Sequence, residues 1–195
     1  MDFTAFSQLV KANRSCRRFD NAHAIHQKDL ESLVDLARNT ASAANMQPLK
    51  YIICSDREKN DQIYSCLGWA AYLKDWSGPQ KAEQPTGYIV ILGDTAVAKR
   101  FWCDHGIAAQ TILLGARTMG LAGCMFAAIN MKQLKTVLDI EDQYEIKLVV
   151  ALGKPVEIAQ IDEIDPDGDI KYYRDEHQVH HVPKRKLSDI ILSSW

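Results

Sequence analysis

A basic excess is the first thing missing. Lys and Arg number 23 against 25 Asp and Glu, for a formal net charge of −2, so the chain lacks the electrostatic footprint of a nucleic-acid binder. Disulfide or zinc spacing is missing too. Cys16, Cys54, Cys66, Cys103 and Cys124 are scattered, odd in number, and include no C-x-x-C pair, which argues against a disulfide scaffold or a thiolate zinc site and for a reduced, cytoplasmic setting. Met1 to Thr4 does not open a basic run followed by an apolar stretch, so no signal peptide is expected. The apolar run from Gly106 to Ile129 has the length of a membrane span, but Gln110, Arg117 and Gly120 to Gly123 interrupt it. It reads as a buried helix followed by a short strand, with no membrane partner. There is no G-x-G-x-x-G turn, internal repeat, low-complexity stretch or linker. With 47% hydrophobic and 25% charged residues, the chain has the composition of one folded domain over 1–195.

Apolar spacing predicts interleaved elements. Phe3, Phe6, Leu9 and Val10 share one face of a first helix ending near residue 13, and Leu30, Leu33, Val34 and Ala37 repeat the pattern in a second ending near 40. Strands are expected at 49–54, 87–93, 124–127 and 147–152, and helices at 57–67, 95–119 and 131–138. Residues 69–84 read as irregular, broken by Gly78, Pro79 and Pro85. The chain then turns polar until Leu187, Ile190, Ile191 and Trp195, which suit a short amphipathic helix. The small residues Ala108, Ala109, Gly115 and Ala116 suit close helix packing in a core or subunit interface. The interleaving is too irregular for a doubly wound sheet and predicts an α+β fold.

Five groups of residues have chemical character. Arg14-Ser15-Cys16-Arg17 places two guanidiniums around a hydroxyl, which suits a phosphate and equally a solvated basic turn. Ser42-Ala43-Ala44-Asn45-Met46-Gln47-Pro48 offers amide donors and acceptors among small residues, suited to a flat polar-edged ligand or simply to a helix-terminating turn. The stretch following Asp104 to Gly123 is apolar, so its backbone N–H groups can face a ligand or lie in the core. Lys184 and Arg185 form a late basic pair, fit for a phosphate or for plain surface. Asp175, Glu176, His177, His180 and His181 mix possible metal ligands, but their spacing is not H-E-x-x-H, and a polar loop or edge strand explains them better.

In this order the motifs resemble the nitroreductase family of FMN-dependent flavoenzymes over nearly the whole chain. Arg14-Ser15-x-Arg17-x-Phe19 matches its N-terminal signature, Ala37 to Pro48 the second, and Asp104-His105-Gly106 through Gly123 the third. The resemblance implies a mainly antiparallel sheet flanked by helices and an intertwined homodimer with two FMN sites at the interface. It implies that Arg14, Ser15 and Arg17 hold the phosphate and ribityl chain, with Lys184 or Arg185 adding a phosphate contact. Asn45 and Gln47 would lie by the flavin ring or ribityl hydroxyls with Ser42 nearby, and the backbone of Phe126, Ala127 and Ala128 would face flavin N5. Two departures stand out: Ala41 and Leu49 replace a frequent Pro and an aromatic, and Ala127-Ala128 replaces an acidic residue and a glycine. A backbone donor needs neither side chain, so the second change bears on substrate preference.

The implied chemistry is ping-pong transfer of electrons from NADH or NADPH through FMN to a small nitroaromatic or quinone-like acceptor, with no catalytic acid or nucleophile. A flavin-binding or sensor protein, or a flavin-destructase or dehalogenase relative, are the alternatives. Trp69, Tyr72 and Trp76 suggest a lid or substrate wall, with plain packing as the competing account, and the cysteines read as inert.

Overall fold

A computed structural model describes residues 1–195. Helices α1 (Phe3–Ala12) and α2 (Gln27–Arg38) precede strand β1 (Leu49–Cys54), helix α3 (Arg57–Tyr64) and strand β2 (Gly87–Asp94). Helix α4 (Asp104–Thr118), strand β3 (Ala122–Phe126), helix α5 (Met131–Leu138) and strand β4 (Tyr144–Gly153) follow. The chain ends in β5 (Ala159–Ile164), β6 (Tyr173–Arg174), β7 (His180–Arg185) and α6 (Leu187–Ile190). Helix starts follow local chemistry. Asp2, Asp56 and Asn130 accept the Ala5, Lys59 and Gln133 N–H groups at 2.8, 2.8 and 3.2 Å, satisfying donors that a helix start leaves open.

The main sheet runs β1-β2-β4-β3 and is antiparallel throughout. Every residue of β2 is buried, which its unbroken apolar run requires, because both faces are covered. Ile89 and Ile91, with Val150 and Leu152 of β4, pack against Leu30 and Leu33 of α2 and Ala108, Ile112 and Ala116 of α4. Tyr88, Val90 and Leu92, with Val149 and Ala151, face Ile63 of α3 and Leu134 of α5. The two-residue period of the strands therefore divides one sheet between two helical layers. Burying each large aliphatic side chain contributes about 1.5–3 kcal/mol. Gly115 lets α2 close on α4, since a Cβ there would lie 2.6 Å from Leu36 Cδ1.

This is the α+β architecture the sequence predicts, with three corrections. The helix expected over 95–119 begins only at Asp104. Asp94 ends β2 in a turn, its carboxylate accepting Ala96 N–H at 3.0 Å and its carbonyl accepting Val97 and Ala98 N–H. Phe101 then folds onto Gly93, and Trp102 takes φ 42. The helix expected to reach residue 67 ends at Tyr64, with Cys66 and Leu67 N–H turned back to Ile63 and Tyr64 carbonyls. The third correction is a second sheet in the polar C-terminal stretch, ordered β5-β7-β6, with β5 parallel and β6 antiparallel to β7. Its strands carry too few apolar residues to announce themselves by pattern.

Candidate cofactor site

Cys16 and Phe19 anchor the segment that follows α1. Cys16 N–H donates to Gly123 O at 2.9 Å along β3. Phe19 is fully buried against Gly153. Beside these anchors, Arg14 and Ser15 just before Cys16 and Arg17 just after it line a cavity of about 400 Å³. Gln110 and Leu113 of α4 and Met125 of β3 form a second wall. Tyr172, His180 and Lys184 come from the C-terminal sheet region and close the third. Arg14 donates from Nη2 to Val10 O at 2.8 Å, while its Nε is buried without a partner. Burial holds its pKa below the ordinary arginine value.

Arg17 is fixed from several sides. Its guanidinium lies 4.7 Å from the centre of the Tyr172 ring and donates to His180 Nε2 at 3.2 Å. Its backbone N–H donates to Glu157 Oε2 at 2.8 Å. Glu157 Oε1 accepts Arg174 Nε at 3.0 Å and Nη2 at 2.5 Å, and Arg174 stacks over Trp76 at 4.3 Å. Arginine can only donate, so His180 accepts at Nε2 and carries its proton on Nδ1, an atom buried without a partner. Burial pushes the His180 pKa down to about 4, against the pull of Glu157 and with the help of Arg17 and Arg174. The ring is neutral at ordinary pH.

Of the late basic pair, Lys184 reaches the cavity, while Arg185 points elsewhere and donates to Pro166 O at 2.6 Å. Ser42 and Gln47 line a different cavity of about 150 Å³, with Leu49, Tyr51 and Asp104. The two cavities share no lining residue. In the Ser42–Gln47 loop, Ala44, Asn45 and Gln47 have φ of 50, 53 and 49. Left-handed backbone costs about 1–2 kcal/mol at a residue with a Cβ, and such strain gathers at ligand sites. Asn45 and Gln47 are exposed. Beside this loop, burial and then the Asp104 charge push the Tyr51 hydroxyl up to about 12.

Phe126 is buried, 4.6 Å from the Trp69 ring centre. Ala127 and Ala128 are exposed, and their N–H groups donate to no backbone carbonyl. Trp69 also packs on Tyr64 and Trp76, and Tyr72 lies 5.0 Å from Tyr172. The irregular 69–84 stretch is thereby tied to the C-terminal segment that walls the large cavity. Burial, with Glu157 adding, raises the Cys16 thiol to about 12, and burial raises Cys124 as well. Both are poor thiolates.

The histidine-rich stretch divides. His180 turns to Arg17, and His181 lies between Asp162 (2.6 Å from Nδ1) and Asp175 (3.3 Å from Nε2). His177 stays exposed beside Glu176. Tyr172 and Glu157 had no signal in the sequence, being far from any motif. His180 stood in the stretch weighed for metal, where alternation along a strand was the unused clue that neighbouring histidines face opposite ways.

Comparisons with known proteins bear on the family and the fold. A model of the Nitroreductase family matches residues 10–154. YodC of Bacillus subtilis (strain 168), provisionally named an NAD(P)H nitroreductase, is 25% identical over 210 residues, spanning 92% of this chain and 96% of its own. MhqN of the same organism, with a similarly provisional name, is 22% identical over 181 residues, 76% of this chain and 88% of its own. The crystal structure of a nitroreductase family protein from Clostridium novyi NT superimposes with a TM-score of 0.65 at 24% identity, over 80% of this chain and 86% of that one.

Proposed function

The chain belongs to the nitroreductase family, and on that premise we propose that it is an FMN-dependent oxidoreductase, a cytoplasmic single-domain homodimer passing electrons from NADH or NADPH to a small nitroaromatic or quinone-like acceptor. The large cavity carries the reading. Arg14, Arg17 and Lys184 bring three positive charges to one cavity that the Ser15 hydroxyl also lines, a donor set suited to a phosphate monoester. The fit is supported by an orphan: Arg14 Nε is buried without an acceptor, a costly state that a phosphate oxygen relieves.

Bound there, FMN supplies two-electron chemistry between a reduced nicotinamide and a second substrate in a ping-pong sequence. The chain's own part is to bind and orient. Met125 and Leu113 offer an apolar wall, and Arg17 is held in place by Tyr172 and His180. The unpaired N–H groups of Ala127 and Ala128 are the backbone donors assigned to flavin N5, with Phe126 fixing the start of their loop. Ser42 and Gln47 line a cavity apart from Arg14, with Asn45 exposed on the loop between them, and in the proposed dimer a second copy of the chain supplies all three. The exposed apolar residues Phe3, Leu192 and Trp195 and the open edge of β1 suit that assembly.

The test is direct. Purified protein is expected to be yellow, with about one FMN per chain. Anaerobic NADH or NADPH should bleach the flavin band and an acceptor should restore it. Protein that takes up no added FMN overturns the proposal, and protein that binds FMN but never bleaches is a binder without turnover.

A further inference from the structure

We infer that Asp104 is the positioning residue of the Ser42–Gln47 loop, holding it in the left-handed shape that presents Asn45 and Gln47. The inference rests on the proposed reading of that loop as part of the flavin site. Asp104 is the first residue of α4 and is 4% exposed. Its Oδ2 accepts the Ser42 hydroxyl at 2.6 Å and its Oδ1 accepts Ala43 N–H at 3.2 Å. Ser42 Oγ in turn accepts Gln47 N–H at 2.9 Å. One hydroxyl therefore uses both its functions, as donor to the carboxylate and acceptor from the far end of the loop. Asn45 N–H donates to Ser42 O at 2.9 Å and Met46 N–H to Ala43 O at 3.1 Å, so residues 42–47 close on themselves around the anchor.

Three side-chain-bearing residues with positive φ do not hold that conformation unaided, because each prefers the right-handed or extended region. The anchor overcomes that preference. A carboxylate suits the place: it sits in the first turn of α4, where the helix dipole favours negative charge, and both its oxygens are pure acceptors facing two donors. An asparagine keeps only one of these bonds in the same sense. The link also explains why a motif after α2 and a motif at α4 occur in one chain, since the second supports the first.

The experiment uses the full-length chain and its Asp104→Ala, Asp104→Asn, Ser42→Ala and Ser42→Thr variants. In apo-protein, hydrogen exchange at the Ala43 and Gln47 amides reads the anchor independently of flavin. Both are expected to be protected in wild type. Ser42→Ala should lose the Gln47 protection, and Asp104→Ala the protection of both. FMN titration should then show at least about tenfold weaker binding for Ser42→Ala and Asp104→Ala. The double variant should be no worse than the weaker single, because both remove one linkage. Ser42→Thr should restore affinity to within about threefold and Asp104→Asn should fall between. Unchanged exchange and unchanged FMN affinity in Ser42→Ala, which spares the buried core, overturn the inference even where wild type binds FMN. If the exchange pattern follows expectation but wild type binds no FMN, the anchor stands and the flavin reading falls.

Discussion

The guanidinium of Arg17 meets Nε2 of His180 at 3.2 Å, across 163 positions of sequence. A neutral His180 is a condition of that contact. Its pKa of about 4 in the fold lies below the ordinary value of about 6.5. Between those values the unfolded chain binds more protons than the folded one, so stability rises with pH across that window and is lost as pH falls towards 4. Denaturant midpoints measured from pH 4.5 to 7 should drop on the acid side in wild type. The drop should be shallower in His180→Gln, whose amide oxygen still accepts from Arg17.

His181, the next residue, has the opposite sign. Asp162, and with it Asp175, holds its pKa above the ordinary value, against some loss from burial. That support is fully present below about pH 6.5 and is lost as pH rises through the raised folded value. His181→Gln should therefore lower the midpoint at pH 5.5 more than at pH 8.5. An equal loss at both pH values contradicts the ion-pair account.

Glu157 joins the segment after α1 to the C-terminal sheet, accepting from Arg17 N–H and from Arg174. Its side chain is 1% exposed and its partner Arg174 is 9% exposed, so removing one charge leaves the other buried and unpaired. Glu157→Ala should cost about 3–5 kcal/mol by chemical denaturation. Arg38→Ala breaks the exposed pair with Asp35 at 2.6 Å and should cost well under about 1 kcal/mol.

Arg14 and Arg185 separate the proposed phosphate site from mere basic surface. Arg14→Ala should weaken FMN binding by about 1.5–3 kcal/mol, roughly 10- to 150-fold. Arg185→Ala removes a side chain engaged with Pro166 O and should change FMN affinity by less than about twofold. Fluorescence titration of apo-protein with FMN reads both. Equal losses would mean that both residues serve the phosphate.

The elements that position the site were legible wherever a segment states its own environment. Ile89 and Ile91 alternate with Tyr88, Val90 and Leu92 because β2 is covered on both faces. Met131 to Leu138 reads as a helix from start to finish and is one. Residues 95–103 misled, because an apolar stretch that continues a helical pattern hides the Asp94 turn and the packing of Phe101 on Gly93. The second sheet was illegible because strands such as Ala159–Ile164 are ordered by pairing with β7 rather than by an apolar face.

The sequence by itself determined the α+β pattern, the apolar layers and the motifs at Arg14, Ser42 and Asp104, since periodicity and composition act over a few neighbouring residues. Only the tertiary structure decided that Lys184 rather than Arg185 lines the cavity and that Tyr172 and His180 hold Arg17. It also decided that Asp104 anchors the loop at Ser42. The Asp104–Ser42 and Arg17–His180 contacts join side chains 62 and 163 positions apart. Their partners are chosen by which strand pairs with which and which charge is left buried, and no local pattern along the chain encodes that choice.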